Sequence, residues 1–103
     1  MEKSKCETFI GFAIRAKKCK IGTNACATLK RAKIMLVCFS ASENTLKEAE
    51  KLAHKFQCPL YKTKTKTLAE FTHKENAKVM AVTDAALSQA IINVGEQDLI
   101  KIV

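Results

Sequence analysis

The stretch Ile34-Met35-Leu36-Val37-Cys38-Phe39 decides the fold. It holds six apolar residues with no polar alternation, rich in branched and aromatic side chains, which is the pattern of a strand buried on both faces. Such a strand belongs in the centre of a layered α/β sheet, and a surface hairpin is excluded. The run is also far short of the roughly 20 residues that a membrane span needs. The segment Phe9 to Ile14 is followed directly by Arg15, Lys17 and Lys18, so neither a transmembrane helix nor a signal peptide is expected.

On the N-terminal side, Cys6, Phe9, Ile10, Ala13 and Ala16 recur at three- and four-residue steps, predicting a helix that ends near Lys18. Cys19 to Ile21 then forms a short strand. Gly22-Thr23-Asn24 supplies a turn glycine and two N-cap candidates for a second helix running to about Arg31. On the C-terminal side, the cap-forming cluster Ser40 to Thr45 opens a helix with Leu46, Ala49, Ala53 and Phe56 on one face, stopped by Cys58 and Pro59. Pro59 to about Lys64 reads as a strand. Thr67-x-x-Glu70 has the form of a capping box for a short helix ending near His73, with Leu68 and Phe71 inside. Val79 to Val82 is a further apolar strand, Thr83-Asp84 can cap a helix carrying Leu87, Ala90, Ile91 and Val94, and Leu99 to Val103 can add a last strand. Helices and strands alternate throughout, so the expected architecture is a single-domain, three-layer α/β/α sandwich with a mixed sheet.

With 103 residues, 48% of them apolar, the chain closes one modest core, and two-domain readings are excluded. Eighteen Lys and Arg against ten Asp and Glu leave a formal charge of +8, which favours anionic partners, nucleic acid first. The surplus is local. No acidic residue lies between Glu7 and Glu43, where Arg15, Lys17, Lys18, Lys20, Lys30, Arg31 and Lys33 all fall. Five cysteines at gaps of 13, 7, 12 and 20 residues match neither a paired disulfide framework nor zinc knuckles, so reduced thiols and a cytoplasmic location are expected.

Catalytic signals are missing. His54 and His73 stand beside lysines with no metal-ligand spacing, and Cys19 has cationic neighbours but no cysteine-enzyme signature. The expectation is a non-enzyme with no metal and no cofactor. The alternating Lys62, Lys64 and Lys66 read first as protection of a sheet edge. The aromatics Phe9, Phe12, Phe39, Phe56 and Phe71 fall mostly at core positions, leaving little stacking surface for single-stranded bases, so a structured RNA is the better ligand. Gly22-Thr23-Asn24 joins a permissive glycine, helix-terminal amides and a side-chain amide able to meet a base edge.

Three stretches carry a resemblance. Gly11-Phe12-Ala13-Ile14-Arg15-Ala16-Lys17-Lys18 is similar to G-L-A-x-R-A-G-K, and Ala41-Ser42-Glu43-Asn44-Thr45 is similar to A-S-x-N-T. Lys74 to Asp84 is similar to a closing loop and strand before a last helix. In this order the chain resembles the ribosomal protein L seven Ae family of kink-turn RNA binders, most closely its small bacterial YlxQ-like branch, over about residues 8 to 94. The resemblance implies a non-catalytic α/β/α domain that sets the N-terminus of its second helix into a kinked internal loop of RNA. By position it places Gly22, Thr23 and Asn24 at the RNA, with Lys74, Glu75 and Asn76 beside them. The chain departs from the family where Glu and, three residues later, Lys are usual, carrying Ala25 and Thr28 instead.

The expected function is therefore non-catalytic binding of structured RNA, ribosomal or kink-turn-like, by a ribosome-associated monomer, with RNA binding favoured over kink-turn specificity. The expected contact face combines Lys20, Gly22, Thr23, Asn24, Lys30, Arg31 and Lys33 with the Lys74-Glu75-Asn76 loop. The competing expectation is a protein-interaction module that kept the fold and lost specific kink-turn recognition.

Overall fold

The structure, a computed structural model, describes residues 4–102. Its elements are α1 (Lys5–Arg15), β1 (Cys19–Ile21), α2 (Thr23–Ala27), β2 (Ile34–Val37), α3 (Glu43–Phe56), β3 (Leu60–Thr63), α4 (Leu68–Thr72), β4 (Val79–Val82), α5 (Ala85–Val94), a 3-10 turn (Gly95–Gln97) and β5 (Leu99–Lys101). The five strands form one sheet in the order β1-β4-β2-β3-β5, with β2 and β3 parallel and the other pairs antiparallel. The sheet is mixed and the chain is one compact α/β domain, as its alternation of elements predicts. Val103, the expected end of the last strand, lies outside the described residues.

The core explains the sequence pattern. All four residues of β2 and all four of β4 are buried. Ile34, Leu36, Met80 and Val82 face α1, α4 and α5, where they join Cys6, Ile10, Phe71 and Ile91. Met35, Val37, Val79 and Ala81 face α2 and α3, where they join Cys26, Ala49, Leu52 and Leu60. Two adjacent strands without a polar side thus require a helical layer on each face, which is the three-layer arrangement.

Helix ends follow local chemistry. Ser4, Ser42 and Asp84 side chains each accept a backbone N–H of the first turn of α1, α3 and α5. At α4 the Thr67 and Glu70 side chains complete the reciprocal capping box. Helix α1 closes earlier than expected because Lys17 turns left-handed at φ 57°, and the amides of Lys17 and Lys18 return to the carbonyls of Ile14 and Ala13.

Three expectations need correction. Helix α2 ends at Ala27 and not at Arg31, since the Thr28 hydroxyl donates to the Ala25 carbonyl at 2.6 Å and residues 28–33 run on as a loop. The phenylalanines are less buried than expected. Phe71 is inside, but Phe12 is 41% and Phe39 is 43% exposed, because Phe12 lies on the outer side of α1 and β2 has ended before Phe39. Strand β3 is also not an edge, because β5 pairs along it. The edges are β1 and β5.

Thr67→Ala removes the acceptor of the Glu70 N–H, 3.1 Å away, from a helix of only five residues. The expected loss is about 1 kcal/mol, read as a lower urea midpoint at unchanged m-value, and Thr67→Ser should restore most of it.

Candidate nucleic-acid interface

Strand directions decide which polar groups meet. Strand β4 runs antiparallel to both β1 and β2, so β1 and β2 point the same way, and β3 is parallel to β2. The residues following β1, β2 and β3 therefore stand at one end of the sheet, together with the loop that enters β4. The Gly22 N–H donates to the Val79 carbonyl at 2.8 Å, and the Cys38 N–H to the Lys78 carbonyl at 2.8 Å, fixing the two exits on either side of β4.

Gly22 precedes α2 at φ 101° and ψ 145°, a conformation that side-chain-bearing residues rarely adopt, although no atom stands within 4 Å of an added Cβ. Backbone geometry and not crowding is what calls for glycine here. Thr23 is half-buried and Asn24 is exposed. Across this end lies the loop between α4 and β4. Its turns use His73 at φ 58° and Asn76 at φ 61° in left-handed conformation, and the Lys74 N–H donates to the Thr72 hydroxyl at 3.2 Å. Ala77 is buried and anchors the loop, while Lys74, Glu75 and Asn76 are exposed. The structure thus brings together Gly22, Thr23 and Asn24 with Lys74, Glu75 and Asn76.

Three further groups belong to this end and were missed in the sequence. Phe39 stands at the turn closed by the Ala41 N–H on the Cys38 carbonyl, and its own N–H donates to the buried Thr63 hydroxyl at 2.9 Å, so an exposed ring sits on a fixed backbone. Lys78 donates to the Ser40 hydroxyl at 2.9 Å. The run Ile34 to Phe39 reads as uniformly apolar, and only the end of β2 at Val37 tells Phe39 from the core residues before it.

The remaining predicted cations stand elsewhere. The Lys33 N–H donates to the Val82 carbonyl, and the Lys18 carbonyl accepts from Thr83, so both residues mark the opposite end of the sheet. Lys30 and Arg31 lie in the loop that carries the chain from α2 to that end, and both are exposed. The single expected face is therefore divided, because β2 starts at the opposite end from Gly22. Lys20 is exposed at the middle of edge strand β1, between the two ends.

Beside the first end, Glu7 of α1 meets the imidazole of His73 at 3.0 Å and the Lys66 ammonium at 3.9 Å. Burial raises the Cys19 thiol, while the charges of Lys20 and Lys74 act in the opposite direction. Burial also favours a raised Cys38 thiol, but hydrogen bonds from Ser40 and from the Leu68 amide, with the charge of Lys78, outweigh it and leave Cys38 below the ordinary thiol value. Cys38 is 1% exposed, so this polarised sulfur is a packed acceptor. Among the described residues no cluster of three or more His, Cys, Asp or Glu side chains is placed to hold a metal ion. An open cavity of about 400 Å³ lined by Ala53, His54, Gln57, Cys58, Pro59 and Lys101 lies away from the Gly22 end, where α3 leads into β3.

No protein-family model matches the chain, and no curated protein matches it. Among solved structures it is similar to a protein of unknown function from Bacillus halodurans. The two share 20% identity and a TM-score of 0.73, over 89% of this chain and 97% of that one. That likeness establishes the fold. No helix among the described residues is long and apolar enough to cross a membrane.

The buried thiols give a test of the packing. Burial pushes Cys6 up to about 12 and Cys26 up to about 11, from 9.0. A raised folded-state value means that the native state holds its proton longer than the unfolded chain. The contribution is complete below pH 9.0 and is lost as pH rises toward 11 and 12. The urea midpoint should therefore fall between pH 9 and 11, and the Cys6→Ala/Cys26→Ala double variant, weaker at pH 8, should show a shallower fall.

Proposed function

We propose that the protein binds structured RNA without catalysis, through the end of the sheet formed by Gly22, Thr23, Asn24, Lys74, Glu75, Asn76, Lys78 and Phe39. The observation that carries this reading is the meeting, at one sheet end, of the Gly22-Thr23-Asn24 junction and the Lys74-Glu75-Asn76 loop, two segments about 50 residues apart in the chain. The resemblance to kink-turn binders supports it, because Lys74 to Asn76 open one of the stretches that carry it and its carry-over by position places Gly22, Thr23 and Asn24 at the RNA. Lys74 and Lys78 supply charge for phosphates, Asn24 and Asn76 supply amides for base edges, and Phe39 offers a ring for stacking. With Ala25 and Thr28 in place of Glu and Lys, two polar groups for base reading are absent, each worth roughly 1 to 3 kcal/mol of discrimination. Phosphate contacts then dominate affinity, and RNA shape is read weakly. Ribosomal RNA is the proposed source of the ligand, and the cytoplasm the proposed place.

The chain has no tryptophan, so Phe39→Trp installs a single fluorescent reporter at this end. Titration with a kink-turn RNA, its disrupted variant and a plain duplex of equal length should quench that reporter. The expected preference for the kink-turn over the duplex is below about tenfold, and affinity should fall steeply with salt. Asn24→Ala and Lys74→Ala/Lys78→Ala should each weaken binding. A protein that leaves all three RNAs unbound at low salt, or whose partners survive nuclease treatment in a pull-down, supports the protein-interaction reading and rejects this one.

A further inference from the structure

The cations that the fold separates from this end form a surface of their own. Lys17, Lys18, Lys30, Arg31 and Lys33 are all exposed, and among the described residues none of them is in an ion pair. Lys18 and Lys33 are fixed at the Val82–Thr83 end of the sheet by their backbone bonds to Val82 and Thr83. Lys17 precedes Lys18 in left-handed conformation, and Lys30 and Arg31 arrive on the loop that ends at Lys33. The acid nearest in sequence to this end, Asp84, is half-buried, and its carboxylate caps α5 by accepting the Leu87 N–H at 2.8 Å. It keeps its negative charge there, so one carboxylate stands against the five cations of this end. Along the β1 edge, Lys20 stands exposed between this end and the Gly22 end. From Val79 to Val82 the strand advances about 10 Å, so the distance between the ends corresponds to about three nucleotides of one RNA strand before side-chain reach is added.

We infer that the β1 edge is a phosphate track: an RNA helix held at the Gly22 end continues along Lys20 and is held a second time by Lys18, Lys30, Arg31 and Lys33. This rests on the RNA-binding reading above and adds a requirement on the ligand. The RNA must carry a base-paired stem that extends from the contacted loop beyond about three base pairs on the β1 side. The contacts of these lysines and this arginine are with the phosphate backbone, without sequence preference.

The test uses one internal-loop RNA with a stem of 3, 6 or 9 base pairs on one side, and then on the other, in binding titrations between 50 and 300 mM salt. The expected result for the wild type is tighter binding and a steeper salt dependence as one of the two stems lengthens. Lys30→Ala/Arg31→Ala/Lys33→Ala should bind the shortest stem like the wild type, gain nothing from longer stems, and lose about one unit of salt slope for each contact removed. Lys20→Ala should lower the gain in part. If wild-type binding does not depend on the length of either stem, or the triple variant weakens short and long stems equally, the track is refuted while the first-end reading stands. Failure of the wild type to bind any RNA of the series refutes both. Sedimentation with phosphatidylserine vesicles that the triple variant abolishes, in the absence of a stem-length effect, would assign these cations to a lipid surface and overturn the track.

Discussion

The structure depends on the antiparallel pairing of β2 with β4, two strands whose every residue is buried. Neither strand has a side that tolerates water, so the chain must lay helices on both faces of the sheet, and all other placements follow from that need. Because β4 enters between β1 and β2 and runs against both, β1 and β2 exit at the same end. The chain leaving β1 then has to return the length of the sheet before β2 can begin. The return is made by the five-residue α2 and the open loop of residues 28–33.

This also explains which parts of the fold could be read in the sequence. The strand Ile34–Val37, the helix caps at Ser42, Thr67 and Asp84, and the apolar spacing of Cys6, Ile10 and Ala13 are local signals, and each produced the element it predicts. Strand order has no local signal. Lys30, Arg31 and Lys33 follow Asn24 closely in the chain, and that closeness is what suggests a shared face. The order β1-β4-β2 is what sends Lys33 to the Val82 end. The same limit applies to Phe39, which continues an apolar run but lies past the last residue of the ladder.

The Gly22 end was the better-read half. Gly22 shows its role through its positive φ, and the 73–78 loop shows its own through two left-handed residues, one of them an asparagine, which accepts that conformation more readily than most. His73 is also of a type enriched in that conformation, and its contact with Glu7 ties the turn to α1. Lys78 and Ser40 escaped notice because their meeting requires β2 and β4 to be neighbours. Backbone features that come from one chain segment were legible, while contacts formed across the sheet were not.

A plain structural role is the natural competitor for any lysine on a sheet edge, since charge discourages pairing with another chain. That role accounts for Lys20 on β1 and Lys101 on β5, the exposed lysines within the two edge strands. It does not account for Lys17, Lys30, Arg31 and Lys33, none of which lies on an edge strand. Nor does edge protection explain the asymmetry between the two borders. The β5 border leaves Ile100 and Ile102 exposed at 50% and 38%, whereas the β1 border is bounded by cations at one end and by Asn24 and Lys74 at the other. Gathering like charges at one end of a small domain adds repulsion to the folded state, and an anionic partner lying along that border would relieve it.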